Sequence, residues 1–372
     1  MTPIRIAFHA PMKPPDHPVP SGDRRMARAF MKLLRDLGHE VELATPFRSF
    51  EREGDHARQI EIRDAALAEA RRMIEDSAFR PDLWFTYHAY HKAPDWIGPG
   101  VTRAMGIPYV VAEASIAGKQ AGGPWASGHA ATLEGLAHAS HLLAMTRVDL
   151  AGLEHHLPDV PATLFPPFLD ARRYHLAADR RRLAAIHTID PDKQWLIAVA
   201  MMRDDVKRQS FELLAETFAR LENDNVQLLL VGDGIARAEI EQMFVHIGDR
   251  VHFLGEQEPD EVAALLASSD LMLWPALREA YGMALLEAQA AGLPVVACDE
   301  GGVGDVVSHG ETGFLVKGRD PAQLAEAAES LLVDHARREM FAKTARKRAF
   351  DVHDATVAAS RLAGVLATVA KR

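Results

Sequence analysis

Two glutamates lie eight positions apart on one apolar stretch, and their placement suggests a site for a hydroxyl-bearing ligand. Glu279 follows an apolar run, and Gly282 marks the predicted start of a helix that carries Glu287 in its second turn. The first N–H groups of a helix lack partners and lie at the positive end of its dipole, so they can bind an anion. Two carboxylates would repel a bare phosphate, but they would accept hydrogen bonds from sugar and ribose hydroxyls on either side of a diphosphate. The residue pattern alone leaves open the alternative that Glu287 faces solvent on a surface helix. The positions at the helix start are Tyr281, Gly282, Met283 and Ala284.

Apolar strands alternate with helices along most of the chain, which is typical of parallel sheets covered on both faces. A strand–helix–strand unit opens the sequence, and the alternation begins again after Ala177 with the run WLIAVA at 195–200. The sequence therefore predicts an α/β protein with two Rossmann-like, doubly wound domains at 1–170 and 171–351. The last segment, 352–372, is predicted to be a helix that packs back on the first domain.

Composition and charge are those of a globular chain and exclude several classes of function. Hydrophobic residues make up 48% of the 372 residues and charged residues 25%, as in ordinary domains. The formal net charge of −10 argues against a general nucleic-acid binder, which would be basic. The single cysteine, Cys298, is predicted to be buried, and it permits no internal disulfide, which fits a reducing compartment. No signal peptide or membrane-spanning run is evident, so we expect a cytoplasmic protein.

The segment REAYGMALLEAQAAGLPVVACDEGGVGDVVSHGETGFLV, residues 278–316, resembles the donor-binding region of retaining glycosyltransferases of family 4. Glu279 and Glu287 match the E-x7-E motif of that family, and a looser similarity extends over 195–345. The resemblance implies the GT-B fold, in which two Rossmann-like domains face a cleft. It also implies that domain 171–351 binds a nucleotide sugar, while the first domain binds the acceptor.

The resemblance assigns roles to further residues of the second domain. Members of the family hold the donor diphosphate with an arginine and a lysine after the first strand, and the candidates here are Arg203 and Lys207. Two cations would partly neutralise a diphosphate, and the arginine fork can bind two of its oxygens. Together with Glu279, these two residues are the predicted catalytic residues. The further implied contacts are those of the base with Leu254 and Gly255, of the sugar hydroxyls with Glu279 and of the ribose with Glu287.

The loop after the first strand is long and rich in proline, and it ends at Gly22 just before a helix. Gly22 would let the diphosphate or the acceptor approach that helix start. A plain helix start capped by Ser21 or Asp23 explains the same residues. The helix itself, 23–37, carries a stripe of basic residues that would suit an anionic membrane surface, although an ordinary amphipathic surface helix is the simpler interpretation. The basic residues are Arg25, Arg28, Lys32 and Arg35.

Three residues of the first domain are candidates for acceptor or sugar contacts. Many members of the family place a histidine in the loop after the strand that begins at Pro108. This chain has Glu113 and Ala114 there. A catalytic histidine is therefore not transferred to that position, and Glu113, His88 and His91 are the candidates instead. The spacing of the two histidines suits a metal, but no third ligand stands beside them, so no metal site is predicted.

The resemblance implies retaining transfer of a sugar from a nucleotide-diphosphate sugar to a hydroxyl of a glycan, a lipid-linked or a small-molecule acceptor. UDP is favoured over GDP by its frequency in the family, and neither a cofactor nor a metal is expected. The alternatives are an epimerase or phosphorylase on the same fold and a non-catalytic carbohydrate-binding subunit. A dinucleotide dehydrogenase is disfavoured, because the first strand is not followed by G-x-G-x-x-G. The sequence leaves the sugar, the acceptor and the oligomeric state open.

Overall fold

The computed structural model describes residues 2–19, 21–177 and 179–369. The chain divides into two compact units. Unit 1 runs to Pro166 and takes up the chain again at Thr356, whereas unit 2 comprises Pro167–Ala355. The predicted domain boundary at 170 lies close to the point where the chain leaves unit 1.

Unit 1 is built on a parallel sheet of six strands in the order β2-β1-β3-β4-β5-β6. Its central strands are buried along their whole length, which explains their unbroken apolar sequences. Trp84 and Phe85 of the third strand are fully buried among them. The strands are β1 Arg5–His9, β2 Glu40–Leu43, β3 Leu83–Tyr87, β4 Tyr109–Ala112, β5 His141–Ala144 and β6 Ala162–Leu164.

The helices of unit 1 connect these strands and cover the sheet. The first of them begins just after Ser21, whose side chain accepts a hydrogen bond from the N–H of Arg24 at 3.2 Å. This hydrogen bond confirms Ser21, one of the two candidate residues, as the cap of the helix. The helices are α1 Gly22–Asp36, α2 His56–Glu75, α3 Gly98–Met105, α4 Ala126–Ala137 and α5 Arg147–His156.

Unit 2 repeats the architecture with a second parallel sheet, in the order β12-β11-β10-β7-β8-β9. Its strands are β7 Gln194–Val199, β8 Val226–Val231, β9 Val251–Gly255, β10 Leu271–Leu273, β11 Val295–Cys298 and β12 Gly313–Val316. Its helices are α6 Arg180–His187, α7 Val206–Phe218, α8 Arg237–Phe244, α9 Pro259–Ser268, α10 Met283–Ala291, α11 Val303–Val306, α12 Pro321–Val333 and α13 His335–His353. The predicted fold class, α/β with two Rossmann-like sheets, is confirmed.

Each sheet has a point where the chain reverses its direction of winding. In unit 1 this point lies between β1 and β3, and in unit 2 it lies between β7 and β10. Open α/β sheets bind ligands outside the carboxyl ends of the two strands at such a point, because the following loops diverge there and leave a crevice. The loops that leave these four strands are therefore the first places to look for function.

The end of the chain differs from the predicted single helix over 352–372. Residues 352 and 353 belong to α13, and a new helix, α14, spans Ala355–Val369. Asp354 separates the two helices in an extended conformation, and its carboxylate accepts a hydrogen bond from the N–H of Ala171 at 3.1 Å. Residues 370–372 of the predicted helix lie outside the described residues. The sequence analysis also missed β12, α12 and α13.

Candidate functional site

Lys207 and Glu279, two of the predicted catalytic residues, are in direct contact in unit 2. The Lys207 Nζ donates a hydrogen bond to Glu279 Oε1, although 72 positions separate the two residues. Each side chain is about one-fifth exposed, at 19% and 20%. The two residues meet because β7 and β10 are neighbouring strands. Lys207 lies in the first turn of α7, which follows β7, and Glu279 lies in the loop that follows β10. The contact therefore lies outside the carboxyl ends of β7 and β10, the two strands between which the winding of this sheet reverses.

Arg203 lies on the same loop and forms an ion pair of its own. Its guanidinium is 2.6 Å from a carboxylate oxygen of Asp205, and about half of its side chain is exposed. Asp205 caps α7 by accepting the N–H of Lys207 at 2.8 Å. Burial would raise the pKa of Asp205, but the Lys207 N–H and the Arg203 charge outweigh it and lower that pKa. One acid thus contacts both Arg203 and the first turn of α7, which carries Lys207.

The start of α10 has the geometry of an anion-binding site. Gly282 caps the helix with φ +79°, a left-handed conformation that favours glycine. The N–H groups of Leu285 and Leu286 both reach the Gly282 carbonyl. Within the described residues, the N–H groups of Met283 and Ala284 have no acceptor. These two donors are available to a ligand.

Glu287 is 3% exposed on α10, and Tyr281 before the helix is also buried. The alternative that Glu287 faces solvent is therefore wrong. Burying a carboxylate is costly unless polar partners surround it, so its presence on a helix whose only other polar residue is Gln289 favours a function over simple solvation.

A close backbone approach holds the loop that carries Glu279. A Cβ built on Gly301 would stand 2.1 Å from the carbonyl oxygen of Glu279. The neighbouring N–H of Gly302 donates to Ala280 O at 2.8 Å, and the Glu300 carboxylate accepts the N–H of Arg278 at 3.1 Å. The loop after β11 therefore packs against the loop after β10 and holds its backbone in place.

Leu254 and Gly255, the predicted contacts of the base, end β9, and Gly255 has φ +71°. The Gly255 carbonyl accepts the N–H of Gly232 at 2.8 Å, and the Leu254 carbonyl accepts Nε2 of Gln257 at 2.5 Å. Each carbonyl thus already accepts one hydrogen bond from the protein. A contact of these residues with a base remains a prediction.

Unit 1 contains a second cluster of ionisable residues. His88 Nδ1 lies 3.1 Å from a carboxylate oxygen of Asp23 and 3.9 Å from one of Glu113. Asp23 is in the first turn of α1, while His88 and Glu113 directly follow β3 and β4. We call these three residues the histidine cluster. Burial alone would lower the pKa of His88, but the charges of Glu113 and Asp23 outweigh it and raise this pKa to about 9.

His91, the other candidate histidine of this segment, is not part of the histidine cluster. The His91 ring stands edge-on to Trp125 at 5.9 Å and lines a small cavity that includes Ser49. Burial, followed by the charge of Lys92, lowers the pKa of His91 to about 4. His91 is therefore neutral at physiological pH, in contrast to His88.

Gly22 is the first residue of α1, and a Cβ there would meet no atom within 4 Å. Among the described residues, no close approach requires this glycine. A ligand contact at Gly22 remains a prediction.

The sequence analysis did not identify two acidic residues, Asp205 near Lys207 and Asp149 near the histidine cluster. Asp205 stands between the two predicted cations in the run RDDVK, and this mixed charge was an available signal. Asp149 in the first turn of α5 acts electrostatically on His88 and Glu113. Its position after β5, at a helix start, is the available signal. Nothing local in the sequence connects it with His88.

Across 2–19, 21–177 and 179–369, no group of three His, Cys, Asp or Glu side chains is placed to hold a metal ion. Among the helices of those same residues, none combines the length and the apolarity that crossing a bilayer requires.

Residues 179–348, which lie within unit 2, match the family model of "Glycosyl transferases group 1". Among curated proteins, the chain is 37% identical over 187 residues to N-acetyl-alpha-D-glucosaminyl L-malate synthase of Bacillus anthracis, covering 50% of this chain and 48% of the relative. It is 32% identical over 228 residues to D-inositol 3-phosphate glycosyltransferase of Rhodococcus opacus, covering 58% of this chain and 50% of the relative. The chain thus spans about half the length of these relatives.

Solved structures extend the likeness to both units. Sucrose-phosphate synthase from Thermosynechococcus elongatus superposes with a TM-score of 0.78 at 20% identity, covering 98% of this chain and 99% of that one. HepE of Anabaena in complex with UDP gives 0.78 at 17% identity, covering 98% and 100%. At these identities the likeness shows the fold, which is GT-B.

Proposed function

We propose, from the premise that residues 179–348 form a glycosyl transferases group 1 domain, that this protein transfers a sugar from a nucleotide-diphosphate sugar to a hydroxyl acceptor with retention of configuration. The observation that carries the proposal is the Lys207–Glu279 contact at the winding reversal of the unit 2 sheet. We assign it, with Glu287, to the E-x7-E motif of family 4.

The donor diphosphate binds at the start of α10 in this proposal. The free N–H groups of Met283 and Ala284 supply uncharged donors at the positive end of the helix. Arg203 supplies charge from the loop after β7, and Lys207 supplies charge from the first turn of α7. Lys207 stays beside Glu279 and shares its three N–H donors between that carboxylate and a phosphate oxygen.

The two glutamates bind hydroxyls on either side of the diphosphate. Glu279 accepts a hydrogen bond from the transferred sugar, and its charge is partly neutralised by Lys207. Glu287 accepts from the ribose. Hydrogen bonds to charged groups contribute roughly 1.5–3 kcal/mol each, which is enough to orient the donor.

The reaction proceeds on one face of the sugar. The bond between the anomeric carbon and the phosphate oxygen breaks, and its electron pair stays on the diphosphate. The acceptor oxygen bonds to the anomeric carbon from the same face, and a diphosphate oxygen takes the proton of the acceptor hydroxyl. Arg203, Lys207 and the helix start stabilise the growing negative charge, so the step is proposed to need neither a metal nor another cofactor.

UDP is the proposed nucleotide, and the complex of HepE with UDP, which shares this fold, supports testing it first. GDP is the second choice. The acceptor is a glycan, a lipid-linked or a small molecule, and the names of the relatives, which mention malate and inositol 3-phosphate, suggest small acceptors for a first screen. We also propose a cytoplasmic location. The basic stripe of α1 could in addition contact an anionic membrane surface.

Calorimetric titration with UDP and with UDP-glucose tests the donor site directly. We expect wild-type binding, and a loss of about tenfold or more in affinity for Lys207→Ala and for Glu287→Gln. Lys343→Ala and Glu326→Gln are matched controls, because both side chains are exposed on helices of unit 2 away from these loops. Wild-type affinity in Lys207→Ala and Glu287→Gln would contradict the site.

Product analysis separates the proposal from its alternatives. A transferase releases UDP only when a glycosylated acceptor forms or when water replaces the acceptor. An epimerase would return an isomeric nucleotide sugar, and a phosphorylase would consume inorganic phosphate. A non-catalytic subunit would bind the donor or a glycan and leave it unchanged.

A further inference from the structure

The histidine cluster lies at the winding reversal of the unit 1 sheet. His88 follows β3 directly, and Asp23 follows the loop that leaves β1. These are the two strands between which the chain reverses direction in this sheet. Glu113 follows β4 on the adjoining side. This is the place where an open α/β sheet accepts a ligand, and the proposed donor residues of unit 2 do not use it.

The backbone at the histidine cluster is unusual. His88 has φ +62° and Glu113 has φ +54°, a left-handed conformation that costs a non-glycine residue about 1–2 kcal/mol. Such residues persist where the surrounding structure enforces them, and they concentrate at functional sites. Here two of them stand at consecutive strand ends, and their side chains lie 3.9 Å apart.

One nitrogen of His88 is engaged and the other is not. Nδ1 bonds to Asp23, whereas within the described residues Nε2 makes no hydrogen bond. The His88 side chain keeps 18% of its surface exposed. The ring of Tyr90 stacks on the imidazole at 4.9 Å and restricts its orientation.

The charged groups that face His88 come from several elements. Asp23 on α1, Glu113 after β4 and Asp149 on α5 all favour the protonated ring. Lys13 and Arg48 act on Asp23 and on its surroundings from the loops after β1 and β2, and the phenol of Tyr90 adjoins the ring. Burial raises the pKa of Glu113, and the charge of His88 partly counteracts this rise. The acids together outweigh the effect of burial on the ring.

We propose that His88 contacts the acceptor as a charged hydrogen-bond donor, with Nε2–H directed at an acceptor oxygen and with Asp23 and Glu113 as positioning residues that keep the ring protonated. The inference rests on the proposed function and extends it to the acceptor. A protonated ring has no free lone pair, so His88 does not remove the proton of the reacting hydroxyl. It orients the acceptor, and the proton leaves by way of the diphosphate.

The protonation state is measured first, on the full-length chain labelled with ¹⁵N at histidine. The His88 resonance is identified by its loss in His88→Asn, and His56→Asn serves as the control, because His56 is exposed on α2 in the same unit. We expect His88 to titrate near pH 9 and to titrate at least one pH unit lower in Asp23→Asn. A His88 that titrates near its ordinary value of about 6.5 would overturn the proposal.

The contact with the acceptor is measured by release of UDP from UDP-glucose, with water as the acceptor probe and UDP affinity measured in parallel. We expect His88→Asn to lower the rate by about tenfold to a hundredfold at unchanged UDP affinity. The wild-type rate should fall above pH 9, and this limb should move to lower pH in Asp23→Asn. His56→Asn should match the wild type.

The outcomes separate the two proposals. If the wild-type chain binds neither UDP nor GDP, or releases neither nucleotide from the nucleotide sugar that it binds, the proposed function itself fails and this inference falls with it. If the wild type binds and hydrolyses the donor while His88→Asn keeps the same rate and the same pH profile, only the role of His88 is refuted.

Discussion

The pairing of Lys207 with Glu279 changes how each residue can act on a ligand. A lysine in the first turn of a helix would by itself be a mobile cation, but here its ammonium is fixed by a carboxylate of the loop after β10. The carboxylate is in turn partly neutralised, so it can lie close to a diphosphate without strong repulsion. The two residues therefore form one unit, and removal of either leaves a partly buried charge without its partner.

A double-mutant cycle on unfolding measures this coupling. We expect Lys207→Met and Glu279→Gln each to lower the free energy of unfolding, and the double variant to lose about 1 kcal/mol less than the sum of the two. The value is modest because both side chains remain about one-fifth exposed. Strictly additive losses in urea unfolding would show that the contact does not contribute to stability.

The loops after β10 and β11 act as a single support for the proposed donor site. Gly301, with φ +59°, allows the second loop to pass beneath the Glu279 carbonyl, where a Cβ would stand at 2.1 Å. No real contact is that short, so a side chain at this position must displace the Glu279 backbone. The position of a proposed catalytic residue thus depends on a glycine 22 positions away in the chain.

Gly301→Ala tests this support against a matched glycine. We expect it to weaken UDP binding by about tenfold or more and to lower the free energy of unfolding by about 1–3 kcal/mol. Gly310→Ala has a comparable backbone, φ +78°, but open space around its Cβ, so it should lose about 1 kcal/mol of stability and keep its UDP affinity. Equal UDP affinities in the two variants would contradict the argument.

At the scale of the whole molecule, the two units contribute different information. The group 1 family model matches residues 179–348 only, whereas the solved GT-B structures superpose on almost the whole chain at 20% identity or less. Unit 2 therefore carries the similarity that points to the donor. Unit 1 shares the architecture and contains the histidine cluster.

The pH dependence of stability is the prediction at this scale. His88 has a pKa of about 9 in the folded chain and an ordinary value of about 6.5 when unfolded. Its stabilisation is therefore complete below about pH 6.5 and is lost as the pH rises through 9. We expect the free energy of unfolding to fall by about 1 kcal/mol per pH unit in this window through His88.

Urea unfolding of wild type, His88→Asn and His56→Asn at pH 7, 8 and 9 measures this term. The His88→Asn variant should be less stable than wild type at pH 7, and the difference should shrink as the pH rises. A difference that stays constant across the three pH values would refute the raised pKa. The His56→Asn control removes the contribution of an ordinary exposed histidine.

Much of the fold could be predicted because its signals are local. The apolar runs of β3, β8 and β10 and the glycine at the start of α10 each specify an element within a few residues. The four-residue strand β12 was missed, because a run as short as GFLV has no period that separates a strand from a loop. The break at Asp354 was missed because its cause, the contact with Ala171, is distant in sequence.

The sequence by itself determined the class of the fold, the loop positions of the candidate residues and the pairing of an acidic motif with a helix start, because all three depend on local periodicity and spacing. Only the tertiary structure decided that Lys207 touches Glu279, that Glu287 is buried, and that His88 joins Asp23 while His91 turns away. Such contacts depend on the order of strands within each sheet, which no local pattern encodes. They join residues 65 and 72 positions apart, and the burial and charge that follow from them set what each side chain can do.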